Sequence, residues 1–238
     1  MDAKKIMETD PLVVLKNCDG YYSAKNKDGK ITGPLVAYAG TYETESQQKK
    51  NYVGFEYFNF AKAEENPEAL DYFARSLAGK LKDLQPDMII GAAMGGLFLS
   101  CLVAKHLGCR LGFAEKKIVK VADPTQGLKE ISELIIERHE IKAGDKIIII
   151  EDVVNNYSTT QKMQELIREK GGEFIGIGCA INRSGKSFYE ESPVESVCFV
   201  TAQQFRQNDP AVSQLIAEDK IVWKAKQNWP ELKATMED

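Results

Sequence analysis

Residues 146–163, KIIIIEDVVNNYSTTQKM, decide the fold. Four consecutive isoleucines, Ile147 to Ile150, make an apolar run suited to a strand covered on both faces. Two carboxylates, Glu151 and Asp152, follow at its end. Then come a polar turn and a helix opened by Ser158, Thr159 and Thr160. Free N–H groups at such a helix start cradle a phosphate, and the hydroxyls add donors. Adjacent carboxylates suit hydrogen bonds from the vicinal hydroxyls of a sugar. Acids and phosphate donors within one turn point to a sugar phosphate. The same pattern also fits solvated acids ahead of a Ser/Thr cap.

Outward from this stretch, strand-like and helix-like segments alternate. NPEALDYFARSLAGKLKDL puts Leu70, Phe73, Leu77 and Leu81 on one helical face, and DMIIG precedes a helix over about 97–107. CRLGFA, EFIGIGCAI and ESVCFVT read as further strands, and NYVGFEYFNF as one aromatic strand. Apolar strands separated by helices predict an α/β fold with an open, mostly parallel sheet flanked by helices. Ligands of such sheets bind beyond the carboxyl ends of the strands. Three loops lie there: GAAMGG, EDVVNNYST and NRSGKS.

The 238 residues carry 31 Lys and Arg against 35 Asp and Glu, a net charge of −4 that lacks the signature of a nucleic-acid coater. Apolar residues make up 43% and charged residues 28%, as in a globule able to bury a core. Residues 88–104 form the longest uncharged run, but a strand, a glycine turn and a buried helix explain it better than a membrane span. The charged N-terminus shows no secretory segment. Five scattered cysteines without a CxxC pair argue for buried thiols in a reducing, cytoplasmic setting, with Cys101 and Cys179 in the core. His106 reads as a capping or packing residue at a helix end and His139 as an exposed residue on a charged helix. Two histidines are too few for a zinc site built on imidazoles.

The stretch at 151–160 resembles the PRPP-binding loop of type I phosphoribosyltransferases, which places two acids and two small aliphatic residues before a Thr/Gly/Ser turn. Glu151, Asp152, Val153 and Val154 match. Asn155 and Asn156 stand where that family has threonines, Tyr157 where it has glycine, and Ser158, Thr159 and Thr160 complete the turn. Glycine there grants unusual dihedrals, so Tyr157 is expected to crowd the phosphate. IIGAAMGGLFLS is similar to the family's pyrophosphate loop, with Ala92, Ala93, Met94 and Gly95 at its tip. Within the family the closest likeness is to orotate phosphoribosyltransferases. Tyr57 and Phe58 are similar to their base-covering hood, Arg183 to the arginine that grips the carboxylate of orotate, and KAKQNWPEL to their closing segment. Asn182 replaces the acid usual before that arginine. FAEKKIVKVADPTQG occupies the place of their mobile catalytic loop, where Lys116 and Lys120 keep two cations but no histidine follows.

The resemblance implies a hood segment over 1–65, a core over 66–205, and a C-terminal segment over 206–238 that packs with the hood. It implies transfer of the phosphoribosyl group of PRPP to orotate in pyrimidine nucleotide biosynthesis, with release of pyrophosphate. PRPP would be held by Glu151, Asp152 and the two loops, the base by Tyr57, Phe58 and Arg183, and the leaving charge by Lys116 and Lys120. Mg²⁺ would be bound through PRPP and not by protein ligands. A homodimer is implied, with neither nucleic acid nor membrane as partner. Two alternatives stand beside it: a regulator that keeps the fold to sense PRPP or a nucleotide, and a transferase for another base such as a purine.

Overall fold

The computed structural model describes residues 9–120, 131–201 and 203–236. The described residues begin with α1 (Pro11–Asn17), β1 (Tyr21–Ser23), β2 (Leu35–Glu43), β3 (Lys49–Gly54), β4 (Glu56–Phe58) and α2 (Ala61–Glu64). The central part runs α3 (Pro67–Leu81), β5 (Met88–Ala92), α4 (Leu97–Leu107), β6 (Arg110–Lys120), β7 (Ile131–Ile135), β8 (Lys146–Val154) and α5 (Ser158–Glu169). It ends with β9 (Glu173–Asn182), β10 (Phe188–Tyr189), β11 (Ser192–Phe199), α6 (Ser213–Ala217), β12 (Ile221–Val222) and α7 (Trp229–Ala234).

The main sheet has seven strands in the order β10-β11-β9-β8-β5-β6-β7. Its five inner strands are parallel, and β10 and β7 are antiparallel at the edges. The isoleucine run on β8 shows why both faces are covered. Ile148 and Ile150 pack with Leu77 and Leu81 of α3, while Ile147 and Ile149 pack with Met163 and Ile167 of α5. A period of two thus sends alternate side chains into opposite cores. All four isoleucines are fully buried. Helix α3 is set by Asn66, whose side chain accepts from the N–H groups of Glu68 and Ala69, and by Pro67 in its first turn.

A smaller layer rests on the C-terminal ends of the parallel strands. In it β12 pairs parallel with β2, which pairs antiparallel with β3. Trp229 of α7 donates its ring N–H to the Asp19 carbonyl at 3.0 Å, and Lys233 donates to the Tyr21 carbonyl at 2.8 Å. These bonds tie the last thirty residues to the first sixty.

Four readings of the sequence are corrected. The aromatic segment is two strands, because the chain bends at Phe55: β3 stays in the small sheet while β4 pairs with β1. The charged segment up to Lys120 is the strand β6 in a hairpin with β7, not a loop, and residues 121–130 lie outside the described residues. His139 is not on a helix: it is half-buried, edge-on to Phe113 with centroids 4.6 Å apart. Cys101 is exposed, whereas Cys179 is buried. His106 pairs with Asp71, Nε2 to Oδ1, at 2.7 Å.

Candidate active site

Strand β8 lies in the middle of the main sheet, so its carboxyl end opens between both layers. Glu151 and Asp152 are its last polar residues, and the next residues pair with β9, Val154 opposite Asn182. The turn 155–157 then closes onto α5. Asn156 Oδ1 accepts from the Ser158 hydroxyl at 3.0 Å and from its N–H at 3.3 Å. Tyr157 adopts φ 58°, ψ 10°, the left-handed conformation that glycine usually supplies. Its side chain turns from the expected phosphate position to stack on Tyr189, with its hydroxyl 2.6 Å from Ser184 Oγ.

A cleft of about 180 Å³ runs along this turn, lined by Glu151 and by Asn155 through Thr160 and closed by Ala39 and Gly40 of β2. Of the three hydroxyl residues, Ser158 is exposed, Thr159 half-buried and Thr160 buried. The first N–H groups of α5 have no partners within the helix. An anion placed there meets donors and the positive end of the helix.

A second cleft of about 360 Å³ adjoins it and shares Ala39, Gly40, Val153, Asn155 and Asn156. Its walls include Tyr57 and Phe58 of β4, Tyr38 of β2, Asp152, Arg183 and Lys226. Arg183 is only 6% exposed. Its guanidinium carbon lies 4.3 Å from the Tyr38 ring centroid and 5.2 Å from that of Phe58. Its Nε and Nη2 have no hydrogen-bond partner among the described residues. A buried cation with free, coplanar donors is incomplete by itself, and a carboxylate is the group that fits such a fork. Burial pushes the Tyr57 hydroxyl upward in pKa, opposed by the charge of Arg183 and reinforced by that of Asp152, which places both charges beside that ring.

The loop after β5 reaches the same place. The Ala93–Met94 peptide is cis, Ala92 is buried in the strand, and Met94 is exposed at the tip. A Cβ at Gly95 would overlap the carboxylate of Asp152, so this backbone and that acid are in immediate contact. A Cβ at Gly96 would meet the Ile150 and Ala92 carbonyl oxygens. Glycine is required at both places for close approach.

Lys116 and Lys120 are not brought into either cleft. Both are exposed on β6, opposite Leu134 and Ile131 of β7. Three residues that the sequence left unmarked stand at the site instead. Tyr38 covers Arg183, Lys226 lines the wider cleft, and Glu64 lies near both Asp152 and Lys226. Only Lys226 had a signal, since it lies within KAKQNWPEL.

The Glu151 carboxyl is shielded inside the cleft, although the residue as a whole is only partly buried. Burial, with Asp152 adding to it, pushes its pKa from the usual 4.5 up to about 8. Between those values the folded protein holds a proton that the unfolded chain has released. The stability tied to that proton falls as pH rises from 4.5 and is gone above about 8. Glu151→Gln should therefore flatten the fall in thermal midpoint of the ligand-free protein between about pH 4.5 and 8. Identical pH profiles for variant and wild type would show Glu151 to be ionised throughout.

The family model described as a phosphoribosyl transferase domain matches residues 62–210, which span both loops, Arg183 and the parallel strands of the main sheet. This chain belongs to the phosphoribosyltransferase family. The orotate phosphoribosyltransferase of Caldanaerobacter subterraneus subsp. tengcongensis is 33% identical over 141 residues, 59% of this chain and 68% of that protein. Two solved structures share the fold. Adenine phosphoribosyltransferase from Rhodothermus marinus matches with a TM-score of 0.50 at 18% identity, over 68% of this chain and 93% of its own. UMP synthase from Leishmania donovani matches with a TM-score of 0.52 at 15% identity, over 99% of this chain and 41% of its own. Among the described residues, no helix is long and apolar enough to cross a membrane.

Proposed function

We propose that this protein joins orotate to PRPP, giving orotidine 5′-monophosphate and pyrophosphate. The observation that carries the base assignment is Arg183, a buried guanidinium in the wall of an aromatic-lined cleft, two of whose nitrogens have no hydrogen-bond partner among the described residues. A carboxylate-bearing base supplies the missing acceptor, and a purine does not. The similarity to a curated orotate phosphoribosyltransferase supports the same choice.

In this reading the turn at 155–160 binds the 5′-phosphate, and Glu151 and Asp152 accept from the ribose hydroxyls. The backbone of Ala92, Ala93, Met94 and Gly95 faces the pyrophosphate. Tyr57 and Phe58 flank the base, whose carboxylate lies on Arg183. N1 of orotate bonds to C1 of the ribose as the bond from C1 to the pyrophosphate oxygen breaks. The bonding pair leaves with pyrophosphate, and N1 loses its proton. Positive charge that builds on the ribose ring is met by Asp152. Catalysis is thus positioning plus fixed electrostatics.

No cluster of three metal-binding side chains occurs among the described residues, but hard carboxylate oxygens at 151 and 152 suit Mg²⁺ that arrives on PRPP and keeps waters and phosphate oxygens as ligands. That ion, when bound, neutralises pyrophosphate. Lys226 adds positive charge from the wall of the wider cleft. Lys116 and Lys120, on an exposed hairpin outside this chain's own clefts, are assigned to the pyrophosphate of the second copy in a homodimer acting in the cytoplasm. Tyr157 meets the dihedral requirement of the missing glycine, which removes the main geometric reason to favour a non-catalytic sensor. The test is pyrophosphate release from PRPP and Mg²⁺ across a panel of bases.

A further inference from the structure

We infer that Tyr157 is a positioning residue whose side chain, through Ser184 and Asn182, fixes the loop carrying Arg183 and joins the phosphate turn and the base-facing cation into one unit. This rests on the orotate reading above.

A tyrosine in the left-handed region is strained and persists where its surroundings hold it. Here the ring stacks on Tyr189, with centroids 4.8 Å apart and planes at 27°. The hydroxyl reaches the other loop. Asn182 is fully buried, and its Oδ1 lies 2.9 Å from the Ser184 N–H and 2.7 Å from the Ser184 hydroxyl. An amide oxygen only accepts, so the single Ser184 hydroxyl proton is committed to Asn182. Tyr157 must then donate to Ser184 Oγ, at 2.6 Å.

The chain continues, because Asn182 Nδ2 donates to the Lys186 carbonyl at 2.8 Å. Aspartate, the residue usual there in the family this loop resembles, has no donor for that carbonyl when ionised. Asn182 and Tyr157 are connected through Ser184. Arg183 lies between two residues of this chain, and its own N–H donates to the Val154 carbonyl at 2.8 Å. Its guanidinium rests on the Tyr38 and Phe58 rings with no polar partner at Nε or Nη2, and the backbone on either side fixes where its stem begins.

The test is steady-state kinetics of the full chain with orotate and PRPP varied in turn. Tyr157→Phe keeps the stacked ring and removes the bond to Ser184 and the longer contact, 3.4 Å, to the Lys186 carbonyl. Ser184→Ala removes that bond together with the hydroxyl's bonds to Asn182 Oδ1 and to the Lys186 N–H. Each should raise KM for orotate about three- to tenfold and leave kcat within about twofold. The double variant should be little worse than Ser184→Ala alone, since that change already breaks the link to Tyr157. Ser184→Thr, which keeps a hydroxyl, should restore most of the loss. Unchanged KM, or single effects that multiply in the double variant, would overturn the positioning role alone. A folded wild-type protein inert toward orotate would overturn the orotate reading and this role with it.

Discussion

Arg183→Met is expected to lower kcat/KM for orotate by roughly two to three orders of magnitude while leaving the thermal midpoint unchanged or raised. Removing one partner of a buried, hydrogen-bonded charge pair costs about 3–4 kcal/mol, and about 1.4 kcal/mol corresponds to a factor of ten. The stability expectation runs the other way. Arg183 is desolvated in the ligand-free protein, and two of its donors have no acceptor. Methionine keeps the apolar stem against Tyr38 and Phe58 and removes that desolvated charge. Function and stability thus separate at this residue, and kinetics with a thermal melt on the same sample reads both. A variant that melts well below wild type would mean that the cation is held by contacts within the protein and is not waiting for a ligand. Wild-type turnover of orotate by the variant would remove the carboxylate contact altogether.

Gly95→Ala is expected to lower kcat about a hundredfold with little change in thermal midpoint. The added methyl group would occupy the space of the Asp152 carboxylate. That carboxylate is the free end of a side chain and can swing away cheaply, but in doing so it leaves the ribose. A displacement of about 1 Å near the reacting atoms can cost about a hundredfold in rate. Gly96→Ala is the contrasting change. Its methyl group would meet backbone oxygens of Ile150 and Ala92, which cannot swing, so it should melt earlier. Normal kcat in Gly95→Ala would show that Asp152 has no positional role at the ribose.

The parallel core was legible because its signals are local. Ile147 to Ile150, the Leu70–Leu81 stripe and Asn66-Pro67 each specify one element through period, burial or capping. The β6–β7 hairpin was not legible. Lys116, Lys117, Ser132 and Glu133 place polar residues where a half-buried strand shows alternation, and pairing across the hairpin makes the strand instead. The division of 51–60 into two strands depends on partners over thirty residues away, with Tyr21 opposite Phe58.

The site divides in the same way. Glu151, Asp152, the 155–160 turn and Gly95 sit beside strand ends, where an α/β sheet puts its ligands, and could be read in order along the chain. Tyr38 carries no motif, and Lys226 only its place within KAKQNWPEL. They reach the cleft because Leu35 pairs with Ile221, a contact across 186 residues that no local pattern encodes. Tyr157 is the instructive residue, since its departure from glycine looks damaging by itself. Its compensation lies at Ser184 and Asn182.

The most direct measurement is pyrophosphate release from PRPP and Mg²⁺ by the purified protein, comparing orotate with uracil, adenine and guanine. Orotate and uracil differ by the carboxylate that Arg183 is assigned to hold. Release with orotate and none above background with the other three is the predicted result. Release with uracil or a purine at a comparable rate would contradict the base assignment, and no release with any base from folded protein would contradict catalysis itself.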